Sequence, residues 1–403
     1  MLTPAAGKEA LRGMLEIRGT PPETPSGDFV PCIPTCGAGQ GTVAERFSAP
    51  GVGALPRGAW KAKAFRYILV AAVLFLLGVA CDEGEGTRPA ESGDQPAATL
   101  PAYFRPRWME FAPMPTPRSE VGVAILDHVI YVVGGLSPAG DVGTVVEAYQ
   151  VLGDTWEKRA PLPVSVNHAG VAAVFTPAGP RLYVIGGFHN GFTTAIGNVF
   201  EYDPTTDTWT EKTPMPTPRG ALGVAGLDRK IYAIGGADSS GSVAATEAYD
   251  PITDTWQALA PMPTPRDHLA VAIPTIGNNK IYAIGGRSAL NFNRNLDANE
   301  EYDPVTDTWT PRARLPTPRS GIAAAGIAGH IFVFGGEAGA GTFAENEAYN
   351  PAADAWSVAP PMPTARHGLG AAPFGGTAIF VIAGGTEPGL SASAKNEAFI
   401  GGP

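Results

Sequence analysis

An all-β fold assembled from repeated units is what this sequence predicts, and three observations carry that expectation. Gly and Pro supply 51 and 40 of the 403 residues, and punctuation this frequent breaks helices and favours short strands joined by turns. Six Gly-Gly pairs begin at Gly134, Gly186, Gly235, Gly285, Gly335 and Gly384, each ending an apolar run such as IYVVGG or IYAIGG. Trp108, Trp156, Trp209, Trp256, Trp309 and Trp356 keep the same interval. A period of about fifty residues is the mark of a repeat architecture.

Composition narrows the function classes. Hydrophobic residues make up 44% and charged ones 16%, too apolar for a wholly disordered chain and too poor in charge for a coiled coil. The formal net charge of −10 argues against a basic nucleic-acid face. Cys32, Cys36 and Cys81 are the three cysteines, all upstream of the repeats. The repeats therefore hold no disulfide framework, thiolate metal site or cysteine nucleophile. Cys32 and Cys36 lack the second pair that a zinc site would need.

The N-terminal quarter reads as three segments. Residues 1–59 show no apolar periodicity, as expected of a disordered or wrongly assigned extension. Residues 60–81 read as a signal segment. Arg57, Lys61, Lys63 and Arg66 precede Tyr67–Ala80, fourteen residues without charge. That run is shorter than the roughly 20 apolar residues of a spanning helix and suits a signal-peptide core. It ends in Ala80-Cys81 and resembles a bacterial lipoprotein signal, although Gly78 stands where that family prefers Leu. The resemblance implies export, lipidation of Cys81 and a place in the bacterial cell envelope outside the cytoplasmic membrane. A signal beginning so far into the chain suggests translation from a non-AUG codon near Val52 or Leu55. Residues 82–105 are polar and Pro/Gly-rich, a flexible tether. The repeats occupy 106–403.

Within each unit the pattern is an apolar strand (residues 121–126 in the first), a strand ending in Gly-Gly, a strand through Glu-x-Tyr and a strand at Thr-Trp. Strands so short and apolar must be covered on both faces. Asp-Pro-x-x-Asp turns at 203–207, 250–254 and 303–307 supply a side-chain acceptor and a fixed φ. Gly-Gly, then Tyr-Asp-Pro, then Trp resembles the kelch repeat, which implies a four-stranded propeller blade per unit. The sixth unit stops without a tryptophan strand, while the strand around Trp108 precedes the first. A six-bladed ring closed by that N-terminal strand is therefore expected.

Two repeated charges read as scaffold. Arg118, Arg219, Arg266, Arg319 and Arg366 follow the Pro-Thr-Pro or Pro-Thr-Ala segments, and Glu147, Glu247, Glu300, Glu347 and Glu397 precede the aromatic by two. The second unit has Val166 and Phe200 instead, losing both at once. Each Arg is expected to pair with the Glu of its own blade, with Val166 and Phe200 as an apolar substitute, because half of a buried ion pair cannot be left behind.

Function is expected where the blades differ. By resemblance, ligand contacts in kelch propellers come from the residue after the repeated Arg and the residue after Gly-Gly. Here these are Ser119, Asn167, Gly220, Asp267, Ser320 and His367, then Leu136, Phe188, Ala237, Arg287, Glu337 and Thr386. His168, His189, Asn190 and His268 lie nearby. The longest second-to-third-strand loops are in blades two and four, around 188–192 and 291–297. No HExxH or GxSxG motif occurs, and no metal or cofactor is expected, although His168, His268 and His367 leave a metal or acid–base role open. The family's copper oxidases need a Tyr–Cys cross-link, which the cysteine-free repeats exclude. The first expectation is an envelope-tethered, non-catalytic recognition propeller for a glycan or protein partner. The alternative is a small-molecule enzyme on the same fold, like the bacterial sialic-acid epimerases, which are also six-bladed kelch propellers. A deep pocket with converging charges would favour the enzyme, and a shallow face recognition.

Overall fold

The computed structural model describes residues 106–191 and 194–401. The extension, the signal segment with Cys81, the tether and Phe192 lie outside the described residues. The described residues form an all-β six-bladed propeller without a helix, each blade a sheet of four antiparallel strands. In the first blade these are Gly122–Leu126, Val129–Val133, Val146–Gln150 and Thr155–Lys158, running from the axis outward. The sixth blade takes Gly370–Phe374, Ala378–Ile382 and Asn396–Ile400 from the C-terminal end and Arg107–Glu110 from the N-terminal end. Trp108 stands opposite Phe399 in that pairing, so the first described strand closes the ring as expected.

Burial on both faces explains the strand composition. Ile130, Tyr131, Val132 and Val133 are all buried, with none more than 3% exposed. Six apolar clusters lie one at each blade interface; the cluster between blades one and two joins Leu126, Tyr131 and Val133 to Leu182, Val184 and Tyr202. Inner strands pack closer still. A Cβ on Gly170 would lie 2.0 Å from Val224 of the next blade, and one on Gly223 would lie 2.1 Å from Val271. Where the small residue is alanine, at Ala270 and Ala323, the next blade carries Ala324 and Ala371 instead of valine, and each pair shares a core cluster.

Polar ties repeat around the ring. Each tryptophan indole donates to a carbonyl of the preceding blade, as Trp209 does to Ala160 at 2.9 Å, and Trp108 closes the circuit on Pro360 at 2.8 Å. The second Asp of each turn accepts from its own blade's tyrosine and from a preceding-blade backbone amide. Asp254, for example, accepts from Tyr249 at 2.6 Å and from the Thr213 amide at 2.9 Å. Blade six has no such Asp and carries Phe399 in place of the tyrosine.

The Arg–Glu pairs form as expected. N–O separations are 2.5 to 2.8 Å for Arg118–Glu147, Arg219–Glu247, Arg266–Glu300 and Arg366–Glu397, and Arg319 pairs with Glu347 likewise. The Pro-Thr-Pro threonines belong to the same unit, Thr217 donating to Glu247 and Thr317 to Glu347 at 2.8 Å. Arg319 also donates to the carbonyls of Val333, Gly335 and Thr317. Val166 and Phe200 are both buried in the cluster between blades one and two.

One alignment is corrected by the structure. Gly134 and Gly135 have φ of +62° and +108°, and a Cβ on Gly134 would meet the Val166 carbonyl oxygen at 2.5 Å. In blade six those two places are taken by Ala383, φ +63°, and Gly384, φ +95°. The Gly-Gly frame there is shifted by one residue, so Gly385 and not Thr386 stands in the position of Leu136. Ala383 carries the left-handed backbone that elsewhere falls to glycine.

Candidate functional site

The two expected sets of contact residues turn out to be partners. One bridge per blade joins Ser119 to Leu136, Asn167 to Phe188, Gly220 to Ala237, Asp267 to Arg287, Ser320 to Glu337 and His367 to Gly385. Each bridge closes the mouth of its blade's first two strands on one face of the ring.

Immediately after it the chain enters the left-handed region at Glu120, His168, Ala221, His268, Gly321 and Gly368, with φ between +52° and +64°. These six residues form a closed circle of backbone hydrogen bonds. Each amide donates to the carbonyl of the blade before it, at 2.7 to 3.0 Å, the Glu120 amide completing the circle on Gly368. The same six line a cavity of about 90 Å³ on the axis. A left-handed non-glycine residue costs on the order of 1–3 kcal/mol. Four of the six accept that cost, and three of them bring Glu120, His168 and His268 together.

A larger cavity of about 340 Å³ opens beside this ring, lined by Glu120, Arg287, Glu337, Gly389 and the apolar side chains Leu136, Leu290, Phe292 and Leu390. Arg287 is 5% exposed and is held from three directions. It donates to Glu337 Oε1 at 2.6 Å, to Asp267 Oδ1 at 3.3 Å and to His268 Nε2 at 2.7 Å, and its guanidinium lies 5.9 Å from the Phe292 ring centre. Two of its five N–H donors have no partner among the described residues. Glu337 Oε2 accepts from the Gly389 amide at 2.9 Å, and Asp267 Oδ2 accepts from Ser242 and from the Leu290 amide.

The imidazoles are set by these neighbours. His268 Nδ1 lies 2.7 Å from Asp267 Oδ1. Because Arg287 can only donate, Nε2 must accept and Nδ1 must carry the proton, the neutral form. Burial and then the Arg287 charge pull the His268 pKa down to about 4, against the pull of Asp267. His168 Nε2 lies 3.0 Å from Glu120 Oε2, and its Nδ1 lies 2.6 Å from Asn167 Oδ1. Burial pushes the Glu120 carboxyl up, but the charge and hydrogen bond of His168 and the charges of His268 and His367 outweigh it. Glu120 is held well below the usual carboxylate range.

Other expected residues do supporting work. Ser119 donates to the Ser391 carbonyl at 2.6 Å, anchoring the blade-six loop. Asn167 donates to Gly191 at 3.1 Å. Phe188 packs on Ala221 and Ala237 and meets the His168 ring edge-on at 5.8 Å. Ser320 is fully buried. His189 bonds the Ser165 carbonyl at 2.8 Å and Asn190 sits in a turn at φ +53°; neither lines the larger cavity. The blade-four loop 291–297, singled out from sequence as a plausible sugar contact, supplies Phe292 to this cavity, while sequence reasoning missed Glu120, Leu290 and the blade-six loop with Gly389 and Leu390. Glu120 could have been found by asking for the second residue after the repeated Arg.

Comparison with known proteins agrees with this architecture. Residues 123–314 match the model of the KLHDC2/KLHL20/DRC7 Kelch-repeats domain, and residues 318–363 match the Kelch motif. Beta-scruin of Limulus polyphemus is 30% identical over 228 residues, covering 55% of this chain and 24% of that protein. Kelch-like protein terF of Aspergillus terreus is 31% identical over 238 residues, covering 55% of this chain and 50% of that protein. The chain thus spans half or less of the length of these curated relatives. A solved structure titled "Structure of YjhT" superposes with a TM-score of 0.61 at 18% identity, covering 71% of this chain and 95% of its own, a likeness of fold alone. This chain carries kelch repeats, and they build a six-bladed propeller closed by its own first strand.

Proposed function

We propose that the pocketed face of this propeller recognises a small polyhydroxylated ligand, a sugar or the end of a glycan. The cavity of about 340 Å³ carries this reading, because it combines Leu136, Leu290, Phe292 and Leu390 walls with Glu120, Arg287 and Glu337 at its base. A sugar has apolar ring faces and a rim of hydroxyls. Carboxylates accept from those hydroxyls, the two remaining Arg287 donors reach an oxygen or an acidic substituent, and the apolar walls cover the ring faces. Kelch propellers are typically protein-interaction modules, so a protein partner is the outcome to set against this one. A thermal-shift screen of the full chain against sugars, sialic acids and cell-wall peptides tests it. A ligand at 100 times its dissociation constant stabilises the fold by about 2.7 kcal/mol. Arg287→Ala is expected to weaken that ligand about 10- to 100-fold. A flat screen would transfer the reading to a protein partner.

A second reading is favoured by one observation: Glu120 lines the cavity ionised, with His168 and His367 against it. That is an acid–base set in reach of a bound sugar acid, and a turnover assay on any ligand found decides between binding and catalysis.

The export reading is likewise a proposal, supported by the cationic, apolar, Ala80-Cys81 run. Mass spectrometry of the mature protein should find Cys81 as the acylated first residue. An unmodified peptide running through Cys81 would exclude it.

A further inference from the structure

We propose that Glu120 Oε1, Glu337 Oε2 and His367 Nε2 form a site for a divalent first-row metal of the zinc class, with its open position facing the cavity. The proposal rests on the reading above only in taking that cavity as the ligand side. His367 is 1% exposed, and its Nε2 lies 3.5 Å from Glu120 Oε1 and 3.6 Å from Glu337 Oε2. Those separations are too long for good hydrogen bonds. They match the edge of a tetrahedron with ligand bonds of about 2.0–2.1 Å, which is about 3.3 Å. One donor atom from each of the three residues lies within 4.8 Å of the others.

The surroundings already hold these ligands in place. Glu120 turns its other oxygen to His168 at 3.0 Å, and Glu337 gives Oε1 to Arg287 at 2.6 Å. Glu337 Oε2 also accepts from the Gly389 amide at 2.9 Å, and such outer partners orient ligating carboxylates. His367 Nδ1 has no hydrogen-bond partner among the described residues. The neighbouring set of Glu120, His168 and His268 also gathers three donors, but both His268 nitrogens are committed to Asp267 and Arg287. Two oxygens and one imidazole leave at least one position for a water or a ligand hydroxyl, the arrangement of an open rather than a structural zinc site.

The test is a Co²⁺ titration of the full chain, stripped with chelator and followed by visible absorption, with Zn²⁺ competition. One saturable site is expected, with the spectrum of nitrogen and oxygen ligands. Glu120→Gln and Glu337→Gln should each weaken it at least tenfold, with the melting temperature in chelator showing that the variants fold. A chain with Cys32, Cys36 and Cys81 all changed to Ser should retain it. The proposal is overturned if no saturable binding occurs. It is equally overturned if the bands carry thiolate charge transfer, vanish with the cysteines and persist in Glu120→Gln. Repeating the sugar screen in chelator separates the two ideas. Sugar binding without Co²⁺ binding removes the metal and keeps the glycan reading, and the reverse removes the glycan reading alone.

Discussion

Replacing Glu347 with alanine is expected to destabilise the propeller by about 3–5 kcal/mol, because it strands a buried guanidinium. Arg319 is 0% exposed and has no route to water. Burial already lowers its pKa below the ordinary value, with Glu347 as the main opposing influence. Thr317 would lose its acceptor as well. The informative comparison is the triple change Thr317→Val, Arg319→Val and Glu347→Phe, which copies the Val164, Val166 and Phe200 of blade two. It should recover most of the loss, since packing can replace a complete ion pair though not half of one. Urea midpoints of the wild type, the single variant and the triple variant measure this. A triple variant as unstable as the single one would mean that the apolar set works only between the neighbours that blade two has.

Acid is expected to destabilise the fold earlier than carboxylate titration alone would allow. His268 has a folded pKa of about 4 against an ordinary value of 6.5. Between those values the unfolded chain binds a proton that the folded chain does not. This contribution is therefore fully present above pH 6.5 and is lost as pH falls toward 4, by at most about 3 kcal/mol. Glu120, whose pKa is also depressed in the fold, extends the loss below about pH 4.5 for the same reason. Denaturation curves between pH 7.5 and 3.5 in chelator, flagged by a falling midpoint from about 6.5 downward, should show this slope. His268→Gln should flatten the part above pH 4.5 and spare the part below. An unchanged slope in that variant would place the effect elsewhere.

Much of the fold was legible because the repeat is a local code. Gly-Gly, Glu-x-Tyr and Thr-Trp each mark a strand or its end, and the absence of a tryptophan strand after Asn396–Ile400 announced that Arg107–Glu110 would complete the sixth blade. The Arg–Glu pairing was legible for a different reason. A substitution that removes both members together, as at Val166 and Phe200, is evidence of contact within a single sequence. The Gly-Gly frame, by contrast, failed in blade six. Ala383 takes a backbone conformation that composition assigns to glycine, and the Gly-Gly pair beside it slid the alignment to Thr386.

The site was legible only by position. The residues after Arg and after Gly-Gly could be named from the repeat, yet nothing in it says that Asp267 and Arg287 face one another or that Glu337 reaches back across a blade to Arg287. Glu120 escaped because its importance comes from left-handed backbone geometry repeated six times around an axis. Leu290, Phe292, Gly389 and Leu390 belong to loops without a repeated pattern. The chain's own order determined strands, blades and closure, because those depend on interactions between residues at most one repeat apart or on matching ends. The tertiary structure decided the pocket, because closing the ring is what brings Glu120 of blade one beside His367 of blade six, and proximity of that kind has no signature along the chain.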